Sequence, residues 1–177
     1  MNLHFDRRRV LPWVFVALAA TLSVNLALGS RQYWLLYSSL QQLGFTITQV
    51  SLQSPGASMT SIQTIVRADN PVDYSGLTVT LISVTTYFHS DGSSLFEQRP
   101  VGGGGVISRS LSPHTVQDFT LVITLNQQNA TSLSHFFTAH NGNITADSSL
   151  YVSVSSYLTT LSGSATAYTV QQNVTLT

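Results

Sequence analysis

The sequence predicts a mainly β protein: an antiparallel two-sheet sandwich behind a single N-terminal transmembrane helix. Three observations predict it. Val10 to Leu28 is a run of 19 residues without a charge, which at ~1.5 Å per helical residue approaches the ~30 Å hydrocarbon core of a bilayer. After Gly44 the apolar pattern changes from helical to alternating, and β-branched residues dominate. Turn chemistry then punctuates the chain at Ser54-Pro55-Gly56, Asn70-Pro71, Asp91-Gly92, Pro100 to Gly105, Ser112-Pro113 and Asn141-Gly142.

The N-terminal elements come first. Arg7, Arg8 and Arg9 precede the apolar run and only Arg31 follows within reach, so the excess of basic residues puts residues 1–9 in the cytoplasm and everything after residue 28 outside. Trp13 at one end and Tyr33, Trp34 and Tyr37 beyond the other suit the two membrane interfaces, where rings with one polar atom are favoured. Ala27-Leu28-Gly29 would also serve a signal peptidase, but the run exceeds the usual ~7 to 15 residue core of a signal peptide, and an uncleaved anchor is preferred. Residues 29–43 carry Trp34, Leu35, Leu40 and Leu43 at helix-compatible spacing and read as a helical stalk. Ser23 and Asn25 place polar side chains in the span, where they either hydrogen-bond to a neighbouring helix or, as a single Asn near the outer interface, are simply tolerated.

Residues 44–177 form the extracytoplasmic body. Phe45 and Ile47 alternate before the phase slips to Val50 and Leu52, and Leu77, Val79 and Leu81 alternate before it flips to Ile82 and Val84. A flip of face predicts a bulge near Leu81-Ile82. Further strands read as Met59 to Ala68, Ser94 to Gln98, Val116 to Leu125, Leu150 to Leu158 and Ala165 to Leu176, which makes seven or eight in all. Thr131 to His140 reads as one short helix with Leu133, Phe136 and Phe137 turned inward. The architecture that fits is immunoglobulin- or fibronectin III-like.

Composition excludes several functions. All seven basic residues among the 177 are Arg, there is no Cys, and charged residues make up 8%. Thiol chemistry, disulfides and Cys-ligated metals are thereby excluded. Residues 43–177 hold three Arg against five Asp and one Glu, which is no footprint for nucleic acid.

Site motifs are correspondingly sparse. Asp69, Asn70 and Asp73 offer oxygen ligands, yet no dense acidic loop follows, and an Asn before Pro more often starts a turn by bonding its own backbone. Gly102 to Gly105 has no Lys-Ser or Lys-Thr after it and reads as a flexible loop. His135 and His140, five apart, face different ways. No catalytic motif joins the few Asp, Glu97 and the His residues, so catalytic, cofactor-binding and metal residues are all expected to be none. Asn129, Asn143 and Asn173 open glycosylation sequons in an exported body, with Asn143 preferred because it sits in a loop.

The stretch Ile65-Val66-Arg67-Ala68-Asp69-Asn70-Pro71, the long strand Leu77 to Tyr87, the Asp91-Gly92 turn, the Gly-rich connection and the alternation from Leu111 to Leu125 together resemble late embryogenesis abundant type 2 proteins, the water-stress and hypersensitive-response domain. The resemblance covers about residues 44–177. It implies structural roles for Asn70 and Pro71, a short helix before the last two strands, and a membrane-anchored member. The expected function is non-enzymatic: a glycoprotein body that docks to or stabilises an envelope or membrane-protein partner, with membrane lipid and self-association as further contacts. The alternative is an archaeal pilin- or archaellin-like filament subunit, which would want processing after Arg9 and an apolar helix not interrupted, as this one is, by Pro12, Asn25 and Arg31.

Overall fold

The computed structural model describes residues 7–53, 60–90, 93–95, 101–162 and 165–175. The chain forms two compact units, Met1–Ser38 and Ser39–Thr177. The first is helical and apolar, and the second is mainly antiparallel β with short helices.

Helix α1 (Arg7–Gln42) runs unbroken for 36 residues. It passes through Pro12, Asn25 and Arg31, the residues that interrupt its apolar character, and continues through the expected stalk. Proline has no N–H, so at Pro12 the helix forgoes one i→i−4 hydrogen bond. Ser23 donates to the Ala19 carbonyl at 2.8 Å, as Thr21 does to Ala17. The Ser23 hydroxyl is therefore satisfied within its own helix and needs no neighbouring one.

The β unit contains β1 (Gly44–Gln53), β2 (Ser61–Asn70), β3 (Leu77–Ser90), β4 (Ser93–Leu95), β5 (Val101–Leu111) and β6 (Thr115–Thr124). Helix α2 (Gln127–Ala139), β7 (Thr145–Ser156), helix α3 (Tyr157–Ser162) and β8 (Thr166–Thr175) complete it. One sheet has the order β1-β2-β6, and the other the order β4-β3-β7-β8, with β5 also pairing β3. Strand β3 is long enough to hold both partners on one edge: residues 77–86 pair β5 and residues 88–90 pair β4.

The two changes of apolar phase are both bulges. In β1 the register shifts between Ile47 and Gln49, which brings Phe45, Ile47, Val50 and Leu52 all to the buried side. In β3 it shifts between Val79 and Leu81, one position before the expected place. Thr80 is left over, and its hydroxyl bonds the Ser153 carbonyl at 3.1 Å. The core is aliphatic: Val50, Ile62, Val66, Val79, Ile82, Val84, Leu150, Val152 and Val154 are fully buried around Phe88. Each contributes about 1.5–3 kcal/mol by leaving water.

Three expectations need correcting. Gly102 to Gly105 are strand, paired residue by residue with Ile82 to Thr85. The pattern hid this because a strand without side chains shows no alternation. Of the strand expected over Ser94 to Gln98, Ser93–Leu95 is strand, and residues 96–98 lie outside the described residues. The turns expected at Ser54-Pro55-Gly56 and Asp91-Gly92, together with residues 96–100, lie outside them.

Helix α2 starts earlier than expected, because Asn126 caps it by accepting from the Asn129 N–H at 2.8 Å. Only Leu133 on it is fully buried, and Phe136 and Phe137 are half-buried. Its end is a Schellman motif: Gly142 donates to the Phe137 carbonyl at 2.8 Å and Asn141 to Thr138 at 3.2 Å. Asn141 takes φ 53° and Gly142 φ 78°, left-handed values that suit these two residue types.

The strand expected to reach Leu158 ends at Ser156, where a second helix, α3, begins. Ser156 Oγ accepts from the Thr159 N–H at 3.1 Å while Thr159 Oγ1 accepts from the Ser156 N–H at 2.7 Å. That reciprocal pair starts a helix in the manner of a capping box.

Candidate functional site

From Leu11 to Leu28 every side chain of α1 is exposed, on all sides of the helix. By length and composition this stretch is apolar enough to cross a membrane, as an anchor or a signal sequence does. Trp13 is 74% exposed and Trp34 66%. In an unbroken helix their separation of 21 residues is about 31 Å, close to the hydrocarbon thickness. Tyr33, Trp34 and Tyr37 are exposed and share one side of the helix by their spacing.

The β unit places the other sequence-derived residues separately. Asn70 is fully buried at the end of β2. Its Nδ2 donates to the carbonyls of Ser112 at 2.9 Å and Leu111 at 3.4 Å, and its Oδ1 has no partner among the described residues. Rather than bonding its own turn, Asn70 ties β2 to the β5–β6 connection, while Pro71 beside it is exposed. Asp73 turns to His114, with Oδ1 and Nε2 2.6 Å apart, and Asp69 does not join them. Among the described residues no three of His, Asp and Glu converge. His140 packs on Phe136 with ring centroids 4.5 Å apart. Arg67 and Asp118 pair across β2 and β6 at 3.0 Å, and this hydrogen bond holds the Asp118 carboxyl below its ordinary range and raises Arg67.

The three sequon asparagines occupy different settings. Asn143 is exposed in the loop before β7, where its carbonyl accepts from Ser90 Oγ at 2.6 Å. Asn129 lies in the first turn of α2, half-buried. Asn173 is exposed on β8 but its Nδ2 donates to Asp147 Oδ1 at 2.8 Å.

Two features escaped the sequence pattern. The first is the meeting of the sheets at β1 and β8. Gln172 Oε1 accepts from the Ile47 N–H at 3.0 Å, and Gln172 Nε2 donates to the Ile47 carbonyl at 2.7 Å. One side-chain amide thus replaces the strand that β1 lacks on that edge. Tyr168 packs on Phe45 with centroids 5.1 Å apart and donates its hydroxyl to the Leu40 carbonyl, and burial pushes its pKa up to about 12. The second is a cleft of about 400 Å³ lined by Tyr87, Asp147, Ser149, Gln171 and Asn173, with Ser148 and Gln172 between them. Alternation along β7 and β8 predicts which residues share a face. Which residues stand opposite each other depends on register, which the sequence does not carry.

No protein-family profile and no curated protein matches this chain. Solved structures do resemble it in outline. A crystal structure of a protein from Archaeoglobus fulgidus is 9% identical with a TM-score of 0.45, covering 75% of this chain and 91% of that one. A solution structure of a protein from Arabidopsis thaliana is 12% identical with a TM-score of 0.43, covering 75% and 82%. A solution structure described as a late embryogenesis abundant protein is 12% identical with a TM-score of 0.38, covering 98% and 93%.

Proposed function

We propose that this chain is a membrane-anchored, non-enzymatic protein of late embryogenesis abundant type 2 character, whose β unit lies outside the membrane and docks to a membrane or envelope partner. The observation that carries the reading is α1, whose apolar side chains from Leu11 to Leu28 are all uncovered. Trp13 and the Tyr33–Trp34–Tyr37 group sit one bilayer thickness apart along it. The Asn70-Pro71 motif at a strand end supports the family reading. For the β unit we favour a fibronectin III-like sandwich. Taking β1, β2, β3, β5, β6, β7 and β8 as strands A to G gives A-B-E against D-C-F-G, which moves strand D from its place in the constant immunoglobulin arrangement. Docking fits a chain with only 8% charged residues, whose surface is cheaper to desolvate than a Lys- and Glu-rich one.

Protease added to intact cells tests the topology: the β unit is expected to be removed while a cytoplasmic marker survives, and protection of both refutes it. N-terminal sequencing separates an anchor, starting at Met1 or Asn2, from a processed filament subunit starting near Val10. Cross-linking in native membranes is expected to capture a partner, and monomer alone at every linker length would refute docking.

A further inference from the structure

The cleft on the outer face of the larger sheet has a chemistry of its own, and it stands whether or not α1 crosses a membrane. Two registered rows make its floor. Tyr87, Asp147 and Asn173 stand opposite one another across β3, β7 and β8, and Thr85, Ser149 and Gln171 form the next row on the same face. Rows on one face of a sheet are about 6.6 Å apart. The opening of about 400 Å³ lies within the ~300–1,000 Å³ range of small-molecule sites.

The lining selects the ligand class. Among the described residues its only carboxylate is Asp147, which already accepts from Asn173 and lies 3.5 Å from His89 Nδ1. With no Arg among the lining residues, an anionic ligand would meet a carboxylate and no counter-charge. A cation would meet one carboxylate, well short of the several oxygens that hard cations need. A wholly apolar ligand would strip water from amides and hydroxyls without replacing it. Gln171 and Asn173 present planar amides with donors and acceptors side by side, Ser149 a hydroxyl, and Tyr87 a ring 37% exposed. Among the described residues the Gln171 and Ser149 side chains are not committed to other hydrogen bonds. Alternating donors and acceptors beside an aromatic surface match a ring that carries hydroxyls on its rim and C–H groups on its face.

The geometry points to a binding site for a neutral sugar ring, one unit of an uncharged oligosaccharide, seated between Tyr87 and the Gln171–Asn173 edge of β8.

The test uses the full chain in lipid nanodiscs, which avoids sugar-based detergents. It is titrated calorimetrically with cellotriose, maltotriose, mannotriose and triacetylchitotriose, and with trigalacturonate as the anionic counterpart. At least one neutral trisaccharide is expected to bind, more tightly than trigalacturonate. Tyr87→Ala and Gln171→Ala are each expected to weaken that binding at least tenfold at unchanged melting temperature, while Val122→Ala on the other sheet leaves it as it was. Should Tyr87→Ala unfold the protein, Gln171→Ala, an exposed change, decides alone. The proposal is overturned if no neutral trisaccharide binds, if trigalacturonate binds more tightly, or if Gln171→Ala in a folded protein binds as the parent does.

Discussion

The β unit joins its two sheets at two edges and closes them by opposite means. Between β1 and β8 side chains reach across: Gln172 supplies both hydrogen-bonding partners of Ile47, and Tyr168 covers Phe45. Between β5 and β6 side chains are withdrawn. A Cβ on Gly103 would lie 2.8 Å from Ile123 Cγ1 of β6. Arg109 then lies over the Phe119 ring at 5.4 Å. An exposed strand edge invites pairing with another chain. A seam can thus be sealed by adding a polar group of the right shape or by withdrawing one side chain so that another from the facing sheet takes its place. The two solutions tolerate change differently, because a side-chain bridge has alternatives and a missing Cβ has none.

The sharpest way to break the symmetry is Gly103→Val. The new side chain meets Ile123, whose Cγ1 and Cγ2 would lie 2.8 and 3.3 Å from the added Cβ, so relief requires moving β5 or β6. A loss of about 3 kcal/mol is expected, read as a drop in the urea midpoint, whereas Gly105→Val, with nothing within 4 Å, should cost far less.

At the other seam, Gln172→Ala leaves the Ile47 N–H and carbonyl without their partner in a residue 1% exposed. The expected cost is about 1–3 kcal/mol. Gln172→Glu sharpens the point: the ionised carboxylate still accepts from the N–H but repels the carbonyl, so this variant should be relatively more stable at pH 4 than at pH 8.

Alkaline titration reads the same seam without mutation. Burial raises Tyr168 to about 12 in the folded protein, above its ordinary value near 10. The folded state holds the proton more tightly, so this contribution is complete below pH ~10 and is lost as pH rises toward ~12. Tyr168→Phe should flatten that part of the stability profile at the cost of about 1 kcal/mol for the hydrogen bond to Leu40. The smallest effect is expected from Arg109→Ala at the glycine seam, about 0.5–1 kcal/mol for an exposed cation over a ring.

What the sequence displayed follows from the same contrast. Alternation is carried by side chains, so β1, β2, β6 and the phase slips at Ile47/Gln49 and Val79/Leu81 were legible from the identity of successive residues. Gly102 to Gly105 were not, since four residues without side chains read alike in a loop and in a strand that must pass close to its neighbours. Gln172 looked like any outward polar residue of β8, because its role depends on the position of Ile47, 125 residues away. The cleft fell to the same limit. Tyr87, Asp147 and Asn173 come from three strands, and their convergence is a fact of register. Phe136 and Phe137 misled in the other direction: their helical spacing gave a stripe, but Leu133 alone reaches the core.

The end of α2 bears on the chemical lifetime of the protein. Asn141-Gly142 is the sequence most prone to deamidation, in which the glycine nitrogen attacks the asparagine side-chain carbonyl, closes a succinimide ring and expels ammonia. In the folded chain that nitrogen is held by its hydrogen bond to the Phe137 carbonyl at 2.8 Å, and both residues are fixed in left-handed conformations. The nucleophile is therefore tied down while the helix cap is intact and released when the cap frays. Isoaspartate at position 141 would accumulate in proportion to the time this helix end spends open, so each molecule carries a slow chemical record of its own local unfolding.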